Sequence, residues 1–150
     1  MKRVKWALLV CLLGVPALHA LDVSYGKFLK ITGIERTAGQ VVLPVERKKY
    51  YNVRILDKST YQFLTTCVPP CIQQVAKVAV VVQDVRPAQT RPDMWIVTVA
   101  LNQDWLVTFL VFEKSGTYNV KSPKNLLFLQ DVFKKEVEQT VVSAVKQASV

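Results

Sequence analysis

Residues 95–112 read WIVTVALNQDWLVTFLVF. Two runs of strand formers, Trp95 to Leu101 and Trp105 to Phe112, flank Asn102-Gln103-Asp104. Valine, isoleucine, threonine and the aromatic residues suit a pleated, half-buried surface. Asparagine and aspartate suit the tight backbone between two such runs. The stretch is therefore a β-hairpin, and antiparallel sheet lies at the centre of the fold. Lys114-Ser115-Gly116 ends the second strand, and Thr117 to Val120 adds a short one.

Upstream, Phe28 to Ile34 reads as a strand with Leu29 and Ile31 on one face and Lys30 and Thr32 on the other. The turn at Arg36-Thr37-Ala38-Gly39 leads into Gln40 to Val45, where Pro44 marks an edge position because it cannot donate to a ladder. Tyr50 to Leu56 alternates Tyr51, Val53 and Ile55 against Asn52 and Arg54. Asp57-Lys58-Ser59 reads as a polar turn, and Tyr61 to Thr66 as the partner strand of a second hairpin. Beyond Pro69-Pro70, the segment IQQVAKVA (72–79) reads as a turn or short helix. The β-branched run after it predicts a buried strand from about Ala76 to Val85. Arg86 to Asp93, with Pro87 and Pro92, is a loop.

Downstream the apolar period changes from two to three and four. Leu129, Val132, Phe133, Val137, Val141, Ala144 and Val145 make one helical stripe, opposite Lys134, Lys135, Glu138 and Lys146. The helix begins either at Ser122-Pro123 or at Gln130-Asp131. Valine is a moderate helix former, so packing must help hold it. The expected fold is α+β: an antiparallel sheet of about five to seven strands, in two or three hairpins, packed against a C-terminal amphipathic helix.

The first twenty residues, MKRVKWALLVCLLGVPALHA, have a different character. Lys2, Arg3 and Lys5 precede an uncharged apolar run from Ala7 to Val15, then Pro16 and the small residue Ala20. This is the layout of a cleavable export signal. The run is shorter than the ~20 residues that span a bilayer. Cleavage is expected after Ala20, with Ala17 as the reserve position. Residues 1–20 are then a signal peptide and 21–150 a single α+β domain. A lipid anchor on Cys11 is the weaker alternative, because Val10 is a poor preceding residue and only Ala7 to Val10 would remain apolar before it. The protein is accordingly expected in the periplasm or outside the cell.

The formal charge of the whole chain is +9, and loss of Lys2, Arg3 and Lys5 leaves +6. Positive charge favours acidic protein faces or anionic surfaces as partners. Nucleic acid is not expected outside the cytosol. Arg47-Lys48-Lys49 is the tightest basic run.

The composition also excludes chemistry. His19 is the only histidine, and it lies in the leader. Serine and cysteine nucleophiles ordinarily need an imidazole base, so those arrangements are not expected. A serine–lysine pair is the nucleophilic option left formally open. Zinc and calcium ligand patterns are absent, as is a glycine-rich phosphate loop, so no cofactor or metal is expected. Glu35, Glu46, Asp84, Asp93 and Asp104 lie near predicted turns and are the carboxylates available for a glycosidase pair.

Cys67-Val68-Pro69-Pro70-Cys71 is the most distinctive motif. Two thiols four apart reach bonding distance if the chain turns, and an oxidising compartment favours the bond. The Cys67–Cys71 disulfide reads first as a clamp and second as a redox-active loop. Aromatic residues supply the other handle: Trp95, Trp105, Tyr50, Tyr51, Tyr61 and Tyr118. The expected binding surface combines Arg47, Lys48, Lys49, Tyr50, Trp95 and Trp105. Together these readings point to a non-enzymatic envelope protein that binds another macromolecule, either another envelope protein or an anionic surface, through a sheet edge or a basic and aromatic surface. The alternative is a carrier of a small apolar ligand between sheet and helix.

Overall fold

The computed structural model describes residues 19–44 and 52–150. The central hairpin stands as expected: β7 (Met94–Leu101) pairs with β8 (Trp105–Lys114) in continuous register, with Leu101 opposite Trp105. Asn102 and Gln103 close it at φ 51° and 61°. Asparagine tolerates that left-handed backbone better than most residues. The Asn102 side chain also accepts from the Ala79 amide at 2.7 Å and donates to the Lys77 carbonyl at 2.6 Å, so the turn anchors the chain leading into the next strand over.

The strands form two sheets of five rather than one. The first contains β1 (His19–Tyr25), β2 (Leu29–Thr37), β3 (Gln40–Val42), β5 (Cys71–Gln73) and β10 (Leu126–Phe128). Its order is β10-β2-β1-β5, with β3 also on β2. The second contains β4 (Val53–Ile55), β6 (Val80–Pro87), β7, β8 and β9 (Thr117–Lys121), in the order β4-β8-β7-β6 with β9 also on β8. All pairings are antiparallel except β1 with β5.

Two bulges bring the apolar residues into phase. In β2, Leu29 and Ile31 face inward, and strict alternation would put Gly33 there next. The register instead shifts against Leu21/Val23 of β1, and Ile34 turns in. Gly33 takes φ 71°, which an L side chain resists. A second irregularity, between Val82 and Asp84 of β6, puts Val80, Val82 and Val85 all against the core. An extra residue of this kind reverses the inside–outside phase of everything beyond it.

Residues 58–66 correct the expected second hairpin. They form a helix, α1 (Lys58–Thr66), and not the partner strand of β4. Alternation of Tyr61, Phe63 and Thr65 favours a strand locally, but Thr60, Phe63, Leu64 and Cys67 fall three and four apart and face the core. β4 pairs with β8 instead. Residues 71–73 are a short strand, not a helix, and β6 starts at Val80, later than expected.

The C-terminal helix, α2 (Asp131–Ala148), begins at the later of the two expected starts. The reason is that Leu126–Phe128 is committed to β2 as β10. Phe133, Val137, Val141 and Val145 are buried, while Leu129 and Val132, expected in the stripe, are exposed. α2 lies against β6, β7, β8, β9 and β10. One hydrophobic cluster joins α2, α1 and the inner faces of both sheets.

Candidate functional site

The structure separates the residues expected to form a binding surface. Arg47, Lys48, Lys49 and Tyr50 lie outside the described residues. Trp95 is half-buried on β7. Trp105 is a correction: it is 0% exposed and belongs to the core. It opens β8 on the same face as Val107, Phe109 and Val111, which points it between the sheets.

Its indole Nε1 donates to Gln73 Oε1 at 3.0 Å, and Gln73 Nε2 donates to Thr60 Oγ1 at 3.2 Å. Beside it, the fully buried Tyr25 donates its hydroxyl to Asp104 Oδ2 at 2.5 Å. This polar seam ties β1, β5 and α1 to the β7–β8 turn, so both sheets share it. Burial, reinforced by the Asp104 carboxylate, pushes the Tyr25 phenol far above its ordinary range. Among the remaining tyrosines, the Tyr61 hydroxyl accepts from the Val41 amide at 3.3 Å, and Lys146 Nζ sits 5.4 Å from the Tyr118 ring centre.

The carboxylates expected near turns do not converge. Glu46 lies outside the described residues, and Glu35 is exposed on β2. Asp93 and Asp104 sit at opposite ends of β7, a strand whose eight residues span roughly 26 Å. Asp84 lies opposite Thr98 and pairs with Arg86 at 3.8 Å. A hydrogen bond from Arg91, at 2.9 Å, holds the Asp93 carboxyl below its usual range. Two pairs have the S-x-x-K spacing: Ser24 lies in β1 with Lys27 in the next turn, so they do not share a helical turn, whereas Ser143 and Lys146 share a turn of α2, with the Lys146 ammonium over the Tyr118 ring. Among the described residues no three His, Cys, Asp or Glu side chains gather as a metal site requires.

Cys67 and Cys71 are disulfide-bonded, with Cα atoms 5.6 Å apart. The bond carries the chain from the end of α1 into β5. Cys71 is buried, Cys67 is half-buried, and Val68, Pro69 and Pro70 project into solvent, with a cis peptide at Pro69–Pro70. Arg36 Nη1 donates to the carbonyls of Leu64 (3.0 Å) and Cys67 (2.6 Å) and lies 3.6 Å from Cys67 Sγ. It thereby satisfies carbonyls that the end of α1 leaves open.

A concave feature lies elsewhere. β6 is one edge of the second sheet, and among the described residues its eight residues make it the longest strand at any sheet edge. Alternate peptide groups of an edge strand face outward without a ladder partner. Beneath that edge, a groove of about 680 Å³ is lined by β6 and the flank of α2. Val82, Val85 and Ala144 form its apolar part, and Glu136, Thr140, Ser143 and Gln147 its polar helix wall. The inner side of α2 is occupied by Phe133, Val137, Val141 and Val145, so the open volume lies on the flank of the helix.

Sequence reading missed this groove because residues 78–85 look like a fully buried strand. The available signals were Gln83, Asp84, Arg86 and Pro87, which blunt an edge, and the row Glu136, Thr140, Ser143, Gln147 at helical spacing beside the apolar stripe. No protein family model matches the chain, no curated protein is detectably similar to it, and no solved structure matches it.

Proposed function

We propose that this chain is a non-catalytic binding module that takes an extended segment of another polypeptide along β6. The observation that carries this reading is the juxtaposition of a long sheet edge with a groove directly beneath it. Strand addition uses main-chain hydrogen bonds for affinity and pockets for alternate side chains for specificity. Here Val82, Val85 and Ala144 favour small apolar side chains at alternate positions of the partner, and Glu136 favours a basic one. The bulge at Val82/Asp84 and Pro87 keep the edge from pairing indiscriminately, which suits a specific partner better than open-ended association.

The same reading places the domain in the cell envelope or beyond it. The Cys67–Cys71 bond is of the kind that persists in oxidising compartments, and residues 1–20 carry the export layout. Cleavage after Ala20 would remove the first two residues of β1 but leave Leu21, the first of its core residues.

Selection from a library of random ten-residue peptides tests the reading. Peptides with alternating small apolar residues should be enriched, and their binding should be lost in Thr140→Trp, which fills the groove from a partly exposed helix position. The thermal midpoint should hold within about 2 °C, as for a surface substitution. Enrichment of no such peptides, or binding indifferent to Thr140→Trp, overturns it.

A further inference from the structure

The Cys67–Cys71 bond is asymmetric in a way that a simple clamp does not need. Cys71 is 3% exposed and held in β5 against β1. Cys67 is half-buried at the end of α1, beside the exposed Val68-Pro69-Pro70 loop. Cys67 is therefore the more accessible of the two residues to an incoming thiolate. Cys67 also has a cation beside its sulfur, since Arg36 Nη1 lies 3.6 Å from Cys67 Sγ. Two carbonyls, of Leu64 and Cys67, fix that guanidinium in place. A neutral disulfide gains little from a permanent positive charge, whereas a thiolate gains a charge-assisted hydrogen bond. The charge also offsets the carbonyl end of α1, which by itself disfavours an anion.

We propose that the Cys67–Cys71 disulfide is a dithiol-oxidising site, with Arg36 stabilising the thiolate that exchange releases at Cys67. A thiolate of a partner dithiol attacks Cys67 Sγ. The Cys67–Cys71 bond breaks, its electron pair moves to Cys71 Sγ, and that sulfur takes up a proton. The partner's second thiolate then attacks the partner sulfur of the mixed disulfide. The partner's own disulfide forms, and the electron pair leaves on Cys67 Sγ beside Arg36. The partner dithiol is oxidised by two electrons, and the Cys67–Cys71 pair is reduced by two. A stabilised leaving thiolate speeds the second step and makes the pair more oxidising. The substrate class is a polypeptide presenting two cysteines close enough to bond, and each chain oxidises one equivalent.

The test uses the full chain after reduction and removal of reductant. Iodoacetamide labelling from pH 5 to 9, mapped by peptide mass, should modify Cys67 roughly ten-fold faster than Cys71 near neutrality, the effect of about one pH unit in ionisation. In Arg36→Gln the Cys67 profile should move to higher pH, while Arg36→Lys, which keeps a charge, should stay near the wild type. In Cys71→Ser, a peptide disulfide should form a stable mixed disulfide on Cys67. Equal labelling of both cysteines, or a Cys67 profile unmoved by Arg36→Gln, overturns the proposal. If Arg36 only braces α1, Arg36→Gln lowers stability and leaves the profile in place. Thr140→Trp should leave the labelling unchanged, which separates this result from the fate of the strand-binding reading.

Discussion

Replacing Tyr25 with Phe removes one hydroxyl from the seam between the sheets, and its cost should depend on pH. The Tyr25 hydroxyl donates to Asp104 Oδ2 at 2.5 Å, and the ring is fully buried. A hydrogen bond to a charged group contributes about 1.5–3 kcal/mol. Asp104 keeps access to water, so its carboxylate can rehydrate, and the loss falls at the lower end, about 1.5 kcal/mol near pH 8. Because burial and Asp104 raise the folded phenol's pKa, the unfolded chain ionises first, near pH 10. The stability tied to this group is complete below that pH and falls as pH rises toward the folded value. The fall is about 1.4 kcal/mol per pH unit, so by pH 11 the wild type loses roughly 1.4 kcal/mol that Tyr25→Phe does not. The gap between the two proteins should nearly close. Guanidinium unfolding followed by tryptophan fluorescence at pH 8 and pH 11 measures it. An equal gap at both pH values would refute the argument that Tyr25 holds its proton in the fold.

Three further outcomes follow from the packing and the chain ends. Val141→Ala should cost about 2 kcal/mol from lost burial and a residual cavity, whereas Val132→Ala, on the same helix but 78% exposed, should stay within about 0.5 kcal/mol; thermal melts by circular dichroism compare them. The double variant Cys67→Ser/Cys71→Ser should lose about 2 kcal/mol, the entropy of so short a ring, and keep its far-ultraviolet spectrum. The mature protein recovered from its own cell should begin at Leu21, or at Leu18 if cleavage follows Ala17, with intact mass also reporting the oxidised cysteine pair.

The elements that were legible in the sequence are those whose pattern is local and strong. The β7–β8 hairpin carries two long strand-forming runs around an Asn-containing turn, and α2 carries valines four apart. The disulfide follows from two cysteines on a short proline-stiffened turn. Helix α1 was not legible, because nine residues rich in threonine and aromatics suit a strand equally well and only the buried face of Thr60 and Leu64 decides. Nor was the role of Trp105: composition enriches tryptophan both on interfaces and in cores, and only its direction on β8 assigns it to the core.

By itself, the sequence determined that the chain would make an antiparallel sheet backed by a C-terminal helix and joined at Cys67 and Cys71, because apolar period, turn chemistry and cysteine spacing are written along the chain. Only the tertiary structure decided that the strands part into two sheets, that Gly33 and the irregularity at Val82/Asp84 reset which side chains face inward, and that β6 is left at an edge above a groove. Each of those outcomes depends on which distant segment completes a ladder or covers a face. Residue periodicity specifies a face to be covered, but it does not name the segment that covers it.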